Sequence, residues 1–211
     1  MDVQRLTLAL LLALLASPLA AATVVQGTGY CWYDALQVPG LLVKATGSKA
    51  ADEAAFNTAF FVYQFEAAAD EEVYGSIQMP HGWDGSPISP HVHWAPQTAS
   101  DGDPANQKVV WCFDYSWADI STTFPAATTA LCGDTPTGTF EEPVQFRHYL
   151  TATTADITPG AGADGGSSVL YFRLYRDANA GADTYEGEAA LISLDFHYKS
   201  CKLGSRTVVP D

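Results

Sequence analysis

The chain reads as an all-β protein, a single domain built as an antiparallel β-sandwich or jelly roll. Three observations predict this. Six to nine runs of strand length recur at spacings of roughly ten to twenty residues. Several of these runs alternate apolar and polar side chains with a period of two. Helical periodicity is nearly absent, and the pattern is interrupted neither by an internal repeat nor by a linker long enough to separate domains.

Taken from the start, residues 1–22 have the order of a signal peptide. Arg5 supplies a basic end, Leu6 to Ala16 an apolar run, Ser17-Pro18 a helix breaker and Ala20-Ala21-Ala22 small residues for cleavage before Thr23. Eleven or so apolar residues are short for a bilayer span. The mature domain is then 23–211. Val24-Val25 and Leu41 to Lys44 read as short strands, separated by glycines and Pro39. Ala50 to Ala55 has the composition of a helical turn or two.

Ala59 to Phe65 is a dense aromatic run of strand length, and Ala67 to Glu72 reads as an acidic exposed turn. Val73 to Met79 and His91 to Ala95 predict two neighbouring strands joined by a proline-stiffened loop. Lys108 to Ala118 is the clearest strand, with Val109, Trp111, Phe113, Tyr115 and Trp117 on one face, so a one-residue slip would expose all five. Ser121 to Gly138 is turn-rich. Val144 to Thr153 predicts a strand with Phe146, His148 and Leu150 on one face. Beyond the glycine-rich loop Pro159 to Ser168, the run Val169 to Arg176 turns Leu170, Phe172 and Leu174 to one side. Ala178 to Gly187 is a second acidic turn. Ala189 to Tyr198 closes the series, with Ala190, Ile192, Leu194, Phe196 and Tyr198 inward and Ser193, Asp195 and His197 outward.

Composition narrows the function classes. Hydrophobic residues are 47% and charged ones 16%, which suits a packed globular chain. Against 10 basic residues stand 24 acidic ones, a net charge of −14 that repels nucleic acid phosphates and favours solubility in an outside medium. Four cysteines lie beyond the expected cleavage point without Cys-x-x-Cys spacing, which fits disulfides in an oxidising compartment better than structural zinc. Three connectivities are open. Cys112 with Cys132 and Cys31 with Cys201 is the favoured pair, the first closing one excursion and the second tying the chain ends.

His91-Val92-His93-Trp94 places both imidazoles on one strand face. Two such imidazoles are either a metal site or a polar seam, with Asp84 and Asp114 as acids that could hold them. The spacing Gly85-x5-His91-x-His93 is similar to the first half of the cupin metal-binding motif. That pattern wants a glutamate where Gln97 and Thr98 stand, and its second half is not recognisable, so His91 and His93 are metal candidates lacking their partners. Glu141 and Glu142 would point to opposite faces, the serines lie outside any Gly-x-Ser-x-Gly elbow, and the glycine run lacks the lysine and helix of a phosphate loop. Trp32, Trp83, Trp94, Trp111 and Trp117 could stack on sugars or fill a core.

An ordered set of blocks carries a resemblance: Ile77-Gln78-Met79-Pro80-His81-Gly82-Trp83, Pro90-His91-Val92-His93-Trp94, Tyr115-Ser116-Trp117-Ala118 and Thr123-Phe124-Pro125. Arg173-Leu174-Tyr175-Arg176-Asp177, Asp195-Phe196-His197-Tyr198 and Leu203-Gly204-Ser205-Arg206 complete it. The chain thereby resembles small, mostly uncharacterised proteins encoded in tailed-phage and environmental viral genomes, regarded as virion components. The resemblance spans about Val73 to Arg206 and implies a β-rich structural module with no catalytic residue to assign. The secretion-like N-terminus and the cysteines depart from it and suggest a member used outside the cell.

The expectation is therefore a secreted structural protein, not an enzyme, that self-assembles as an extracellular fibre subunit or as a virion decoration or tail component. Its partner is itself, with no cofactor, no nucleic acid and no membrane after cleavage. Thr23, Val24, Val25, Trp83 and Trp94 are the expected assembly or ligand surface. A carbohydrate-binding module holding a glycan, and a cupin-like metalloenzyme, are the alternatives.

Overall fold

The computed structural model describes residues 31–40, 43–99, 107–127, 130–134, 143–160 and 165–201. All of these fall in one compact unit, Cys31–Asp211. The expected signal peptide, residues 1–22, and Thr23, Val24 and Val25 lie outside the described residues. Ten strands and no α-helix are found among those described. They are β1 (Trp32–Pro39), β2 (Asp52–Phe56), β3 (Phe60–Phe65), β4 (Glu71–Gln78), β5 (Ser89–Pro96), β6 (Trp111–Ala118), β7 (Leu131–Gly133), β8 (Tyr149–Ala152), β9 (Val169–Arg176) and β10 (Ala189–Ser200).

Two antiparallel sheets form an all-β sandwich. The first has the order β2-β3-β10-β5-β8, with β1 also paired to β10; the second has the order β4-β9-β6-β7. Strand β10 is long enough to pair with β3 through Ala189–Leu191 and with β1 through Ser193–Ser200. Inward side chains of both sheets meet in one core, with Phe65 edge-on to Trp111 at 5.0 Å and Phe113 edge-on to Phe196 at 6.0 Å. Such aromatic pairs add about 0.5–1.5 kcal/mol beyond the area they bury.

Alternation does what it promised in β6 and β9. Trp111, Phe113 and Trp117 are buried, as are Leu170, Phe172 and Leu174. The parity of β9 then drives Arg176 into the interior as well. Its guanidinium is held there by Asp183 at 2.7 and 3.0 Å and by the carbonyls of Phe65, Gly187 and Tyr185. Gly75 on β4 lies opposite Phe172, and a Cβ there would come within 2.5 Å of the ring.

Five local readings are corrected. Val73 to Met79 and His91 to Ala95 do not lie side by side: β4 belongs to the second sheet and β5 to the first, so residues 79–88 cross between sheets. The crossing is anchored by Met79 and Ile88, which exchange backbone bonds with Ser167, Ser168 and Ile157. Ala50 to Ala55 forms no helix, because Asp52–Phe56 pairs with β3 through a hairpin whose Asn57 and Thr58 both have positive φ. Glu71 and Glu72 are not exposed but open β4 and are buried. The strand at Val144 to Thr153 is shortened to β8, since Phe146 takes positive φ; Tyr149 and Thr151 face the core while His148 and Leu150 turn away. Finally, β10 carries a bulge between Leu191 and Ser193, so Leu191 rather than Ile192 joins the core.

Both favoured disulfides form, Cys31–Cys201 and Cys112–Cys132. The first joins the entrance of β1 to the exit of β10. The second links directly opposed residues of β6 and β7. No cysteine is left free. Bonds of this kind form and persist in an oxidising environment.

Candidate functional site

The most concentrated chemistry lies on the outer face of the first sheet. In β5, Val92 and Trp94 point into the core, so His91 and His93 must point out. In β10 the bulge at Ile192 resets the phase, and Leu194 and Phe196 point in while Asp195 and His197 point out. Register does the rest. Asp195 stands opposite His91, and Ser193 opposite His93. His148 arrives from the turn preceding β8, which pairs with the other side of β5.

Asp195 sits at the centre of this group. Its Oδ1 lies 3.4 Å from His91 Nδ1, and its Oδ2 lies 3.2 Å from both His93 Nε2 and His197 Nε2. His93 Nδ1 is 2.7 Å from His148 Nε2. The rings pack in pairs, His91 with His197 at 4.4 Å and His93 with His148 at 4.9 Å. Four of the five histidines thus gather around one carboxylate. His81 stands apart and bonds Ser167 Oγ at 2.8 Å.

Electrostatics follow from that arrangement. Burial alone would raise the Asp195 carboxyl, but the surrounding imidazoles, His91 and His93 first, outweigh it and hold it down to about 2. Burial and the charge of His93 lower His148, which favours its neutral form. Asp195 is therefore an anion in any ordinary medium, and the histidines compete to face it. What the arrangement can do chemically is concentrate nitrogen donors around a fixed negative oxygen.

Sequence reasoning found His91 and His93 but not their partners. Asp84 and Asp114 do not hold them: Asp84 pairs with Lys199 at 3.6 Å, and Asp114 with Arg173 at 3.2 Å. The available signal was a second period-two pair, Asp195-x-His197, on a strand already read as facing its polar side outward. Its pairing with β5 is non-local and no spacing reveals it.

Trp83 and Trp94 do not form a surface. They are 1% and 0% exposed. Trp83 stacks on Trp117 at 5.1 Å and donates its indole N–H to the Ser86 carbonyl, while Trp94 donates to Thr151 Oγ1 at 3.0 Å. Each ring fills the core because its strand or loop phase points inward and its N–H finds an acceptor there. Among the described residues the exposed aromatics are others. Trp32 and Tyr33 open β1, Phe60 and Phe61 stand out from the β2–β3 hairpin, and Tyr74 and Tyr171 lie on the outer face of the second sheet beside Arg173, with Phe124 edge-on to Tyr171. A groove of about 680 Å³ runs between that sheet and Leu36 and Val38 of β1.

No family model matches the chain, and no curated protein matches it. Among solved structures, it is similar to a chain in the structure of infectious bursal disease virus Gx strain, at 9% identity and a TM-score of 0.32. The match covers 82% of this chain and spans 37% of that one.

Proposed function

We propose that this is a secreted structural protein whose β-sandwich assembles with copies of itself, as subunit of an extracellular fibre or as a virion decoration or tail component. One observation carries the reading. Among the described residues the first sheet ends at the edge strand β2, and the hairpin at that edge holds Phe60 and Phe61 67% and 58% exposed. An edge strand presents unpaired N–H and C=O groups to another strand, and an apolar tip beside it rewards burial at about 25 cal/mol per Å². A second copy of the chain meets both demands through strand addition. The two disulfides and the apolar leader Leu6 to Ala16 support a place outside the cell, and the ordered Pro-His-x-His-Trp and Leu-Gly-Ser-Arg blocks support a viral structural relative.

The net charge of −14 sets two copies against each other at low ionic strength. Assembly should therefore strengthen with salt. Sedimentation and electron microscopy of the mature protein at rising concentration and salt should show oligomers or filaments, and Phe60→Ser/Phe61→Ser should stay monomeric with an unchanged circular dichroism spectrum. Dispersed monomers of the unaltered protein at high concentration and about 0.5 M salt, where charges more than about 5 Å apart are screened, would overturn the reading.

A glycan-binding role is the second reading, favoured by the outer face of the second sheet. There Phe124 sits edge-on to Tyr171 at 5.3 Å, and Arg173 reaches Glu72 and Asp114 at 3.4 and 3.2 Å. Exposed rings beside fixed charged donors and acceptors suit a sugar's apolar face and hydroxyl rim. A glycan array on the intact protein and on Tyr171→Ala separates this reading from the first.

A further inference from the structure

Folding supplies what the two histidines of β5 lack in sequence: a carboxylate and further imidazoles. We propose that His91, Asp195 and His197 bind one divalent transition-metal ion of the zinc type, with His93 and His148 as positioning residues behind the carboxylate. This goes beyond self-assembly and does not depend on it, since all five residues lie in one chain.

Three observations carry it. The first is spacing. A tetrahedral shell with metal–ligand bonds near 2.0–2.1 Å has donor–donor edges of roughly 3.3 Å. His91 Nδ1 to Asp195 Oδ1 is 3.4 Å, close to such an edge, and one ligand atom from each of the three residues lies within 4.8 Å of the others.

The second is an unmet need. Asp195 is only 7% exposed, yet its Oδ1 and the facing His91 Nδ1 are buried without a hydrogen bond. Leaving buried polar atoms unpaired is unfavourable, and an ion between them satisfies both at once.

The third is orientation. A relay runs from His148 Nε2 to His93 Nδ1 at 2.7 Å and from His93 Nε2 to Asp195 Oδ2 at 3.2 Å. That relay fixes the carboxylate and leaves Oδ1 available, as outer-shell partners do in metal sites. Imidazole and carboxylate donors suit zinc, copper(II) or nickel(II) rather than calcium or magnesium. His197, the most exposed of the three, leaves the fourth position open to water.

The full mature chain, purified without a polyhistidine tag and stripped with chelator, should be titrated with Zn(II) by calorimetry and with Co(II) by visible absorption. Expected are one ion per chain, a four-coordinate Co(II) spectrum and a raised melting temperature. Asp195→Asn should weaken Zn(II) binding at least tenfold while preserving the side-chain shape, and His148→Ala should weaken it about 10- to 100-fold. His81→Ala, outside the cluster, should bind as the unaltered protein does. No binding tighter than millimolar by the unaltered chain, a six-coordinate Co(II) spectrum, or unchanged affinity in a folded Asp195→Asn would overturn the proposal. The first two readouts use the unaltered protein, so misfolding of a variant cannot rescue it.

Discussion

Arg176 and Asp183 form a two-bond ion pair in the interior, at 2.7 and 3.0 Å, with the arginine fully buried. The alternation of β9 puts the cation there, and the acidic turn after the strand supplies its anion. A buried charge deprived of its partner is far more costly than the pair is stabilising. Arg176→Met should therefore lower stability by about 3–5 kcal/mol, read as a shift in the urea midpoint. Arg176→Met/Asp183→Leu should recover some of that loss, the remainder reflecting the carbonyls of Phe65, Gly187 and Tyr185 left without their donor and the Val110 N–H left without its acceptor.

Glu71 gives the stability a pH dependence in the neutral range. Burial pushes its carboxyl up to about 7, against the pull of the Glu66 N–H at 2.6 Å and with the charges of Glu66, Asp52 and Glu188 adding to the rise. The folded state then holds a proton that the unfolded chain releases near 4.5. The associated stability is present below that value and is lost as pH rises through about 7. Unfolding followed at pH 4 and pH 8 should show a decline on the order of 2 kcal/mol that Glu71→Gln removes. Equal slopes in the two proteins would refute the assignment.

The Cys112–Cys132 bond closes a separation of 20 residues and pins the short strand β7 to β6. Loop closure of that length stabilises by about 3 kcal/mol. Cys112→Ala/Cys132→Ala should lose about that much, and proteolysis of the altered chain should begin around β7 while the Cys31–Cys201 tie stays intact by mass spectrometry.

Gly133 ends β7 against β8, where a Cβ would meet the Ala152 carbonyl oxygen at 1.9 Å. Backbone cannot step aside as a side chain can. Gly133→Ala should cost about 3 kcal/mol in thermal or urea unfolding. Gly160→Ala, where the nearest atom is 3.9 Å away, should stay within about 0.5 kcal/mol of the unaltered protein.

Legibility followed the range of the interactions. Phe113, Trp117, Leu170 and Leu174 could be placed in the core from their alternation, because a strand's two faces are set by its own backbone. The two disulfides lay within reach of spacing and chain ends. Strands β1 and β7 were missed: Trp32–Pro39 carries Asp34 and Gln37 among its apolar residues, and Leu131–Gly133 is only three residues long. Glu71 and Glu72 read as solvent-exposed because nothing local announces that they open a strand of the second sheet. At the candidate site, His91 and His93 were legible as a pair, and Asp195 and His197 as outward residues, but not as one cluster.

By itself the sequence determined an all-β chain, the inward residues of its clearest strands and the concentration of histidines in Pro90-His91-Val92-His93-Trp94. The tertiary structure decided which sheet each strand joins, where β10 bulges and which carboxylate the imidazoles meet. The physical reason is that strand alternation is enforced within a few residues, whereas strand pairing is settled by contacts far apart in the chain, as between His91 and Asp195 at a sequence separation of 104 (195 − 91). Trp94 and His93 are neighbours in sequence on opposite faces of one strand. One became core and the other a member of a candidate metal site only when β10 lay beside them.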